Sequence, residues 1–100
     1  MTTLLKKHKS PRCFIKIWQL ENGIMCYHFS ADYCEFEEHF PQGTELKAVA
    51  SRALVKVNDW IQQEQVRNHI EAEMSRKYNE FTSLPALIWI KEKLEETCKN

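Results

Sequence analysis

Five residues whose side chains can ligate a metal or act as nucleophile and base fall within 27 residues of one another: Cys13, Cys26, His28, Cys34 and His39. By ligand type they resemble a zinc set. Structural zinc sites, however, bring cysteines in pairs two to four residues apart, and no such pair occurs here. Cys26 and His28 are the closest two. On a strand they share one face at about 7 Å, which one ion bridges only with help from further ligands. The same residues offer two Cys–His dyads, Cys26 with His28 and Cys34 with His39. A nucleophilic thiolate also needs a cationic or helix-N-terminal setting, an oxyanion hole and a third, orienting group. Glu35, Glu37 and Glu38 supply carboxylates, but in a run of acids that reads as a solvated edge. Only two glycines are present, so no glycine-rich loop cradles phosphate. A small Cys/His-dependent enzyme or metal protein is therefore the most distant alternative. No catalytic residue, metal or cofactor is assigned.

Charge narrows the classes further. Fourteen basic side chains balance fourteen acidic ones. That neutrality speaks against a dedicated nucleic-acid binder, which uses a basic excess to displace counterions from phosphates. The distribution is uneven: Lys6, Lys7, Lys9 and Arg12 crowd the first twelve residues with no acid, whereas Asp32 to Glu45 holds five acids and no lysine or arginine. Nucleic-acid binding through this basic arm is the runner-up reading, with those four residues as its contacts. No apolar run approaches the roughly 20 residues of a membrane span. The lysines follow the apolar residues at the N-terminus, the reverse of an export leader. The expectation is a cytoplasmic chain with reduced cysteines and no membrane contact.

The elements that must position these residues are legible from periodicity. One hundred residues make one small domain, with residues 1–11 read as a flexible basic arm ending at Ser10-Pro11. Cys13–Leu20 and Ile24–Phe29 are rich in β-formers and flank Asn22-Gly23, a strong hairpin signal. A two-residue turn centred there pairs Leu20 with Met25, Trp18 with Tyr27 and Lys16 with Phe29. Phe14, Trp18, Leu20, Met25, Tyr27 and Phe29 then share one face, and Ile15, Ile17 and Ile24 the other. Asp32–Phe40 is either a third, edge strand or a short helical turn, ended by Pro41-Gln42-Gly43.

From Thr44 to Phe81 there is neither Pro nor Gly. Leu46, Val49, Ala50, Ala53, Leu54, Val57 and Ile61 form one helical stripe, and Ile70, Met74, Tyr78 and Phe81 another, offset by roughly 90°. Thr44 is the expected N-cap and Asn58-Asp59 the expected weak point of this long, kinked or continuous helix. Thr82–Pro85 breaks the chain, and Ser83 or Leu84 caps a last helix. Its stripe is Leu84, Leu87, Ile88 and Leu94, set to pack antiparallel on the 70–81 segment. The class is α+β: a hairpin, with an optional third strand, on a long helix and a C-terminal helix.

By elimination, shape and apolar surface remain as the carriers of function. The expected activity is a non-catalytic module that regulates or inhibits a larger intracellular protein, or pairs with its own copy. Size and character resemble the accessory inhibitors that phages and mobile elements encode. Trp89 lies off the final helix's stripe and Trp60 near a stripe edge. Both are interface candidates, together with Ile15, Ile17 and Ile24 on the hairpin face turned from the core.

Overall fold

The computed structural model describes residues 2–31, 34–75 and 83–99, with 67–75 described in backbone only. Four strands come first, β1 (Thr3–Lys9), β2 (Phe14–Gln19), β3 (Met25–Ala31) and β4 (Cys34–Phe40). They form an antiparallel sheet in the order β1-β2-β3-β4. Two helices follow, α1 (Leu46–Ser75) and α2 (Leu84–Lys99), both packed on one side of the sheet. The α+β class and the order of hairpin before helices stand as expected.

The segment read as a flexible arm is instead an edge strand. Ser10 closes a tight turn over Pro11-Arg12: its amide donates to the Cys13 carbonyl at 2.8 Å, and its hydroxyl accepts from the Cys13 amide at 3.3 Å. Proline presets the φ that the second position of such a turn requires. Lysines blunt β1 as an edge, which is why its sequence lacks the apolar alternation of a covered strand.

The second correction is one of register. Leu20 donates to the Ile24 carbonyl at 2.9 Å and accepts from the Gly23 amide at 2.9 Å, so three residues rather than two fill the loop. Gly23 has φ 86, the left-handed residue that follows a type I turn in a three-residue hairpin loop. The extra residue shifts the pairing by one: Ile17 lies opposite Tyr27, Ile15 opposite Phe29 and Trp18 opposite Cys26. Every β2 side chain therefore changes face. Ile15 and Ile17 go under the helices, and Phe14 and Trp18 come out. Met25, Tyr27 and Phe29 keep the inward positions expected of them.

The core lies between that inner face and the helices. Tyr27 and Phe29 are fully buried, with Phe36 and Phe40 of β4 packed beside them. From α1 the stripe Val49, Ala50, Ala53, Val57 and Ile61 descends on them as its spacing predicts, the two alanines letting the helix come close. At about 25 cal/mol per Å² removed from water, each buried ring or aliphatic stabilises by about 1.5–3 kcal/mol.

Both caps sit where backbone bonding puts them. Val49 donates to the Glu45 carbonyl at 3.1 Å, making Glu45 the N-cap of α1, while the Thr44 hydroxyl turns back to the Pro41 carbonyl at 2.7 Å. Leu87 donates to the Ser83 carbonyl at 2.9 Å, so Ser83 caps α2. Helix α1 runs through Asn58-Asp59 without interruption.

On α2 the buried set is Ala86, Leu87, Ile90, Leu94 and Thr97, and the expected stripe member Ile88 is exposed. This stripe meets the N-terminal half of α1, where Ser51 Oγ lies 3.6 Å from Cys98 Sγ. The expected contacts of Met74, Tyr78 and Phe81 fall outside the described side chains.

Candidate functional site

The face of the sheet turned away from the helices is a grid of twelve side chains. Strand pairing orders it in three rows running from β1 to β4: Leu4, Trp18, Cys26, His39; then Lys7, Lys16, His28, Glu37; then Lys9, Phe14, Ser30, Glu35. Alternation along each strand places them together, because their neighbours in sequence, such as Ile15, Ile17, Tyr27 and Phe29, are the buried inner set. Among the described residues, no helix packs on this face.

Its chemistry changes from one edge to the other. The β1 edge carries Lys7 and Lys9, and β2 carries two half-buried rings with a lysine between them. The Lys16 amine lies 4.9 Å from the Trp18 ring centroid and 5.8 Å from that of Phe14, a cation spanning both rings. Phe14 also meets the His28 ring edge-on at 5.0 Å. The β4 edge is acidic. His28 Nε2 lies 2.6 Å from Glu35 Oε1, and His39 Nε2 lies 2.8 Å from Glu37 Oε2, so each carboxylate is held by an imidazole.

The Cys–His reading takes definite form here. Cys26 is on the outer face opposite both Trp18 and His39, yet it has no exposed surface. Burial pushes its thiol up from the ordinary value, and the Glu37 carboxylate adds to that. Both effects hold the proton on sulfur, the reverse of what a nucleophile needs. Cys34 belongs to the inner face and His39 to the outer, so that dyad is not brought together. Among the described residues, no three of His, Cys, Asp or Glu converge as a metal set.

The expected interface residues disperse. Ile15 and Ile17, at 2% and 1% exposure, belong to the core and have no free surface to offer. Ile24 is half-buried beside the hairpin loop. Trp60 is a core-edge residue, its ring perpendicular to Phe29 at 5.8 Å and tilted on Phe36 at 6.2 Å. Trp89 is half-buried against the core, with the Lys93 amine 5.6 Å over its ring. Of the basic residues, Lys7 and Lys9 join the outer face, Lys6 sits opposite Ile17 on the inner side, and Arg12 lies in the turn.

Sequence reasoning missed Phe14, Lys16 and Trp18 as surface residues. The signal that finds them is the glycine following Asn22, read as a bulge rather than as the second centre of a two-residue turn.

A second surface feature is an open groove between β4 and α1, lined by Phe36, Glu38, Arg52, Val55, Lys56 and Asp59. Lys56 covers the Phe36 ring at 4.5 Å. The buried Tyr27 hydroxyl donates to Glu38 Oε1 at 2.7 Å, and Arg52 Nε stands 3.8 Å from the other carboxylate oxygen. Tyr27 is held protonated, first by burial and then by this bond. Glu38 and Arg52 thus answer one another within the groove, and Asp59 accepts from the Gln63 side-chain amide at 3.1 Å. No helix among the described residues is long and apolar enough to cross a membrane. Compared with known proteins, the chain matches no family model, and no curated protein or solved structure is significantly similar to it.

Proposed function

We propose that the chain is a small non-catalytic interaction module of the cytoplasm that works by docking the outer face of its sheet on another protein surface, regulating or inhibiting what it covers. The observation that carries this is the placement of Phe14 and Trp18, four residues apart on β2, on a sheet face that no described helix covers. Aromatic rings are enriched at interface centres, and charged and polar groups such as those around Phe14 and Trp18 belong to their rim. Trp89, first in line on sequence grounds, passes that role to Trp18.

The experiment is photo-cross-linking in the native host, with a benzophenone side chain replacing Trp18 on the sheet and, separately, Val55 on the exposed side of α1. Cross-links to protein from position 18 and none from position 55 are expected. Cross-links confined to position 55 refute the assignment of the surface.

One specific observation favours a second reading. Lys7, Lys9 and Lys16 flank the two outward rings, the layout of a stacking platform for single-stranded nucleic acid. Against it stands the Glu35 and Glu37 edge of the same face, which repels phosphate. Cross-links from position 18 to RNA decide for this reading.

A further inference from the structure

We infer that the occupant of the outer sheet face is a second copy of this chain, packed face to face about a two-fold axis that runs parallel to the strands between β2 and β3. The inference rests on the proposed docking function and names its partner.

Charge is ordered across the face. Lys7 and Glu37 share one row of the sheet, Lys9 and Glu35 another, and in each row the lysine is on β1 and the carboxylate on β4. Two sheets can face each other about an in-plane two-fold in two principal ways. An axis perpendicular to the strands lays β1 on β1 and β4 on β4, setting lysine on lysine and glutamate on glutamate. An axis along the strands lays β1 of one copy on β4 of the other and keeps each row in step. Lys7 then meets Glu37, Lys9 meets Glu35, and Lys16 comes over the His28–Glu35 pair. Each ion pair occurs twice, as two-fold symmetry requires. In the middle, Trp18 comes over Cys26 and Phe14 over Ser30, a large ring on a small side chain in both cases. Aligned sheets pack with strands about 30° apart, an offset the length of a lysine side chain absorbs.

The sheet edges lead to the same choice. Pairing β1 with β1 about a two-fold would set Lys7 on Lys7, Lys6 on Lys7 or Lys7 on Lys9 according to register, and pairing β4 with β4 would set Glu37 on Glu37, Glu37 on Glu38 or Glu35 on Glu37. Like charges oppose both edge-to-edge two-folds. Of the sheet's own surfaces, the broad outer face is the one on which a two-fold sets unlike charges together.

Four strands of about seven residues give a footprint of roughly 400 Å². That is about half of what each partner buries in a standard stable interface. The dimer is accordingly micromolar and salt-sensitive.

The test is sedimentation equilibrium of the full chain at about 0.05 M and about 0.5 M salt. It compares wild type, Lys7→Glu with Lys9→Glu, Glu35→Lys with Glu37→Lys, and an equimolar mixture of the two variants. All four side chains are exposed, so both variants keep the wild-type circular dichroism and a cooperative urea transition, the lysine pair giving up two surface contacts to His28 and His39. Expected is a wild-type dimer that weakens at least tenfold at the higher salt, two monomeric variants, and a heterodimer on mixing. Dimers unaffected by the swaps, or strengthened by salt, overturn the axis. A wild type that stays monomeric while position 18 cross-links to a different protein overturns the second copy and leaves the docking function standing. One that stays monomeric and cross-links to no protein overturns both. A single-stranded oligonucleotide bound by wild type, lost with the glutamates and strengthened with the lysines, also overturns it in favour of nucleic acid.

Discussion

Replacing Ile17 by Asp tests the register on which the outer face depends. Ile17 is 1% exposed and lies opposite the buried Tyr27, so the new carboxyl enters an apolar layer with no partner. A buried carboxylate avoids its desolvation cost by taking up a proton. At pH 7, holding a group of ordinary pKa near 3.9 in the neutral form costs about 4 kcal/mol, at 1.36 kcal/mol per pH unit. Loss of the isoleucine's apolar contacts adds about 2 kcal/mol. The total equals the whole stability of a marginal small domain, which begins at about 5 kcal/mol.

The sign in pH follows. The folded-state pKa is raised above the unfolded value, so the penalty is absent below about pH 4 and grows as pH rises toward the folded pKa. Trp18→Lys, one residue on, puts its charge in solvent on the outer face and is expected to fold. Urea melts at pH 7 and about pH 4.5 read both effects: Ile17→Asp unfolded or nearly so at pH 7 and partly recovered at the lower pH, Trp18→Lys within about 2 kcal/mol of wild type at both. The reverse order, with Ile17→Asp stable and Trp18→Lys unfolded, would refute the three-residue loop and every statement about the outer face.

Three further outcomes are expected. Gly23→Ala should cost about 1–2 kcal/mol in a urea melt, because φ is 86 there and the new Cβ would come 2.7 Å from Gln42 Cγ. Gly43→Ala, with φ 91 and nothing within 4 Å, should cost only the backbone share, and Gln42→Ser should bring Gly23→Ala down to the same level. Tyr27→Phe should cost about 1 kcal/mol at neutral pH through the lost bond to Glu38. In an alkaline absorbance titration the Tyr27 phenol should ionise only when the chain unfolds, a step the Phe variant lacks. Trp18→Ala should convert the Cys26 thiol from unreactive to reactive toward an aromatic disulfide reagent under native conditions, since the ring opposite it is gone. A Cys26 that stays protected would show that Trp18 is not its cover.

The helical half of the fold was legible because its signal is repeated. Val49, Ala50, Ala53, Val57 and Ile61 carry the 3.6-residue period over three turns, and no single misreading displaces the set. The sheet half hung on one residue. Asn22-Gly23 is compatible with both a two-residue turn and a three-residue loop, and the choice exchanges Phe14 and Trp18 with Ile15 and Ile17 between core and surface. Periodicity could not arbitrate, because β2 is apolar on both faces apart from Lys16 and Gln19. Strand β1 escaped notice for a different reason: an edge strand needs few apolar residues, and Lys6, Lys7 and Lys9 read equally well as a solvated arm. On α2, a cap at Ser83 or Leu84 and the burial of Leu87 followed from local sequence, and the backbone bond from Leu87 selects Ser83. Which of Ile88 and Ile90 faced the core depended on where α1 lay, a matter of tertiary packing. The charge order of the outer face appears in the sequence only as a basic start and an acidic middle; folding turns that sequence asymmetry into two opposed edges.

The three-residue loop also has a consequence for how this gene tolerates change. Loss of a single codon among those for Glu21, Asn22 and Gly23 would remove the bulge and leave every other residue intact. The two residues left would still join Leu20 to Ile24, so β2 would keep its register and its faces, whereas loss of the codon for Gln19, inside β2, would send Phe14, Lys16 and Trp18 inward and Ile15 and Ile17 out. Lys16 makes that inversion lethal to the fold, since an ammonium group would then lie beneath the helices. A lineage in which Lys16 had first drifted to an aliphatic residue would lose this safeguard. For it, one small deletion would exchange interior and exterior and present a wholly different surface to selection.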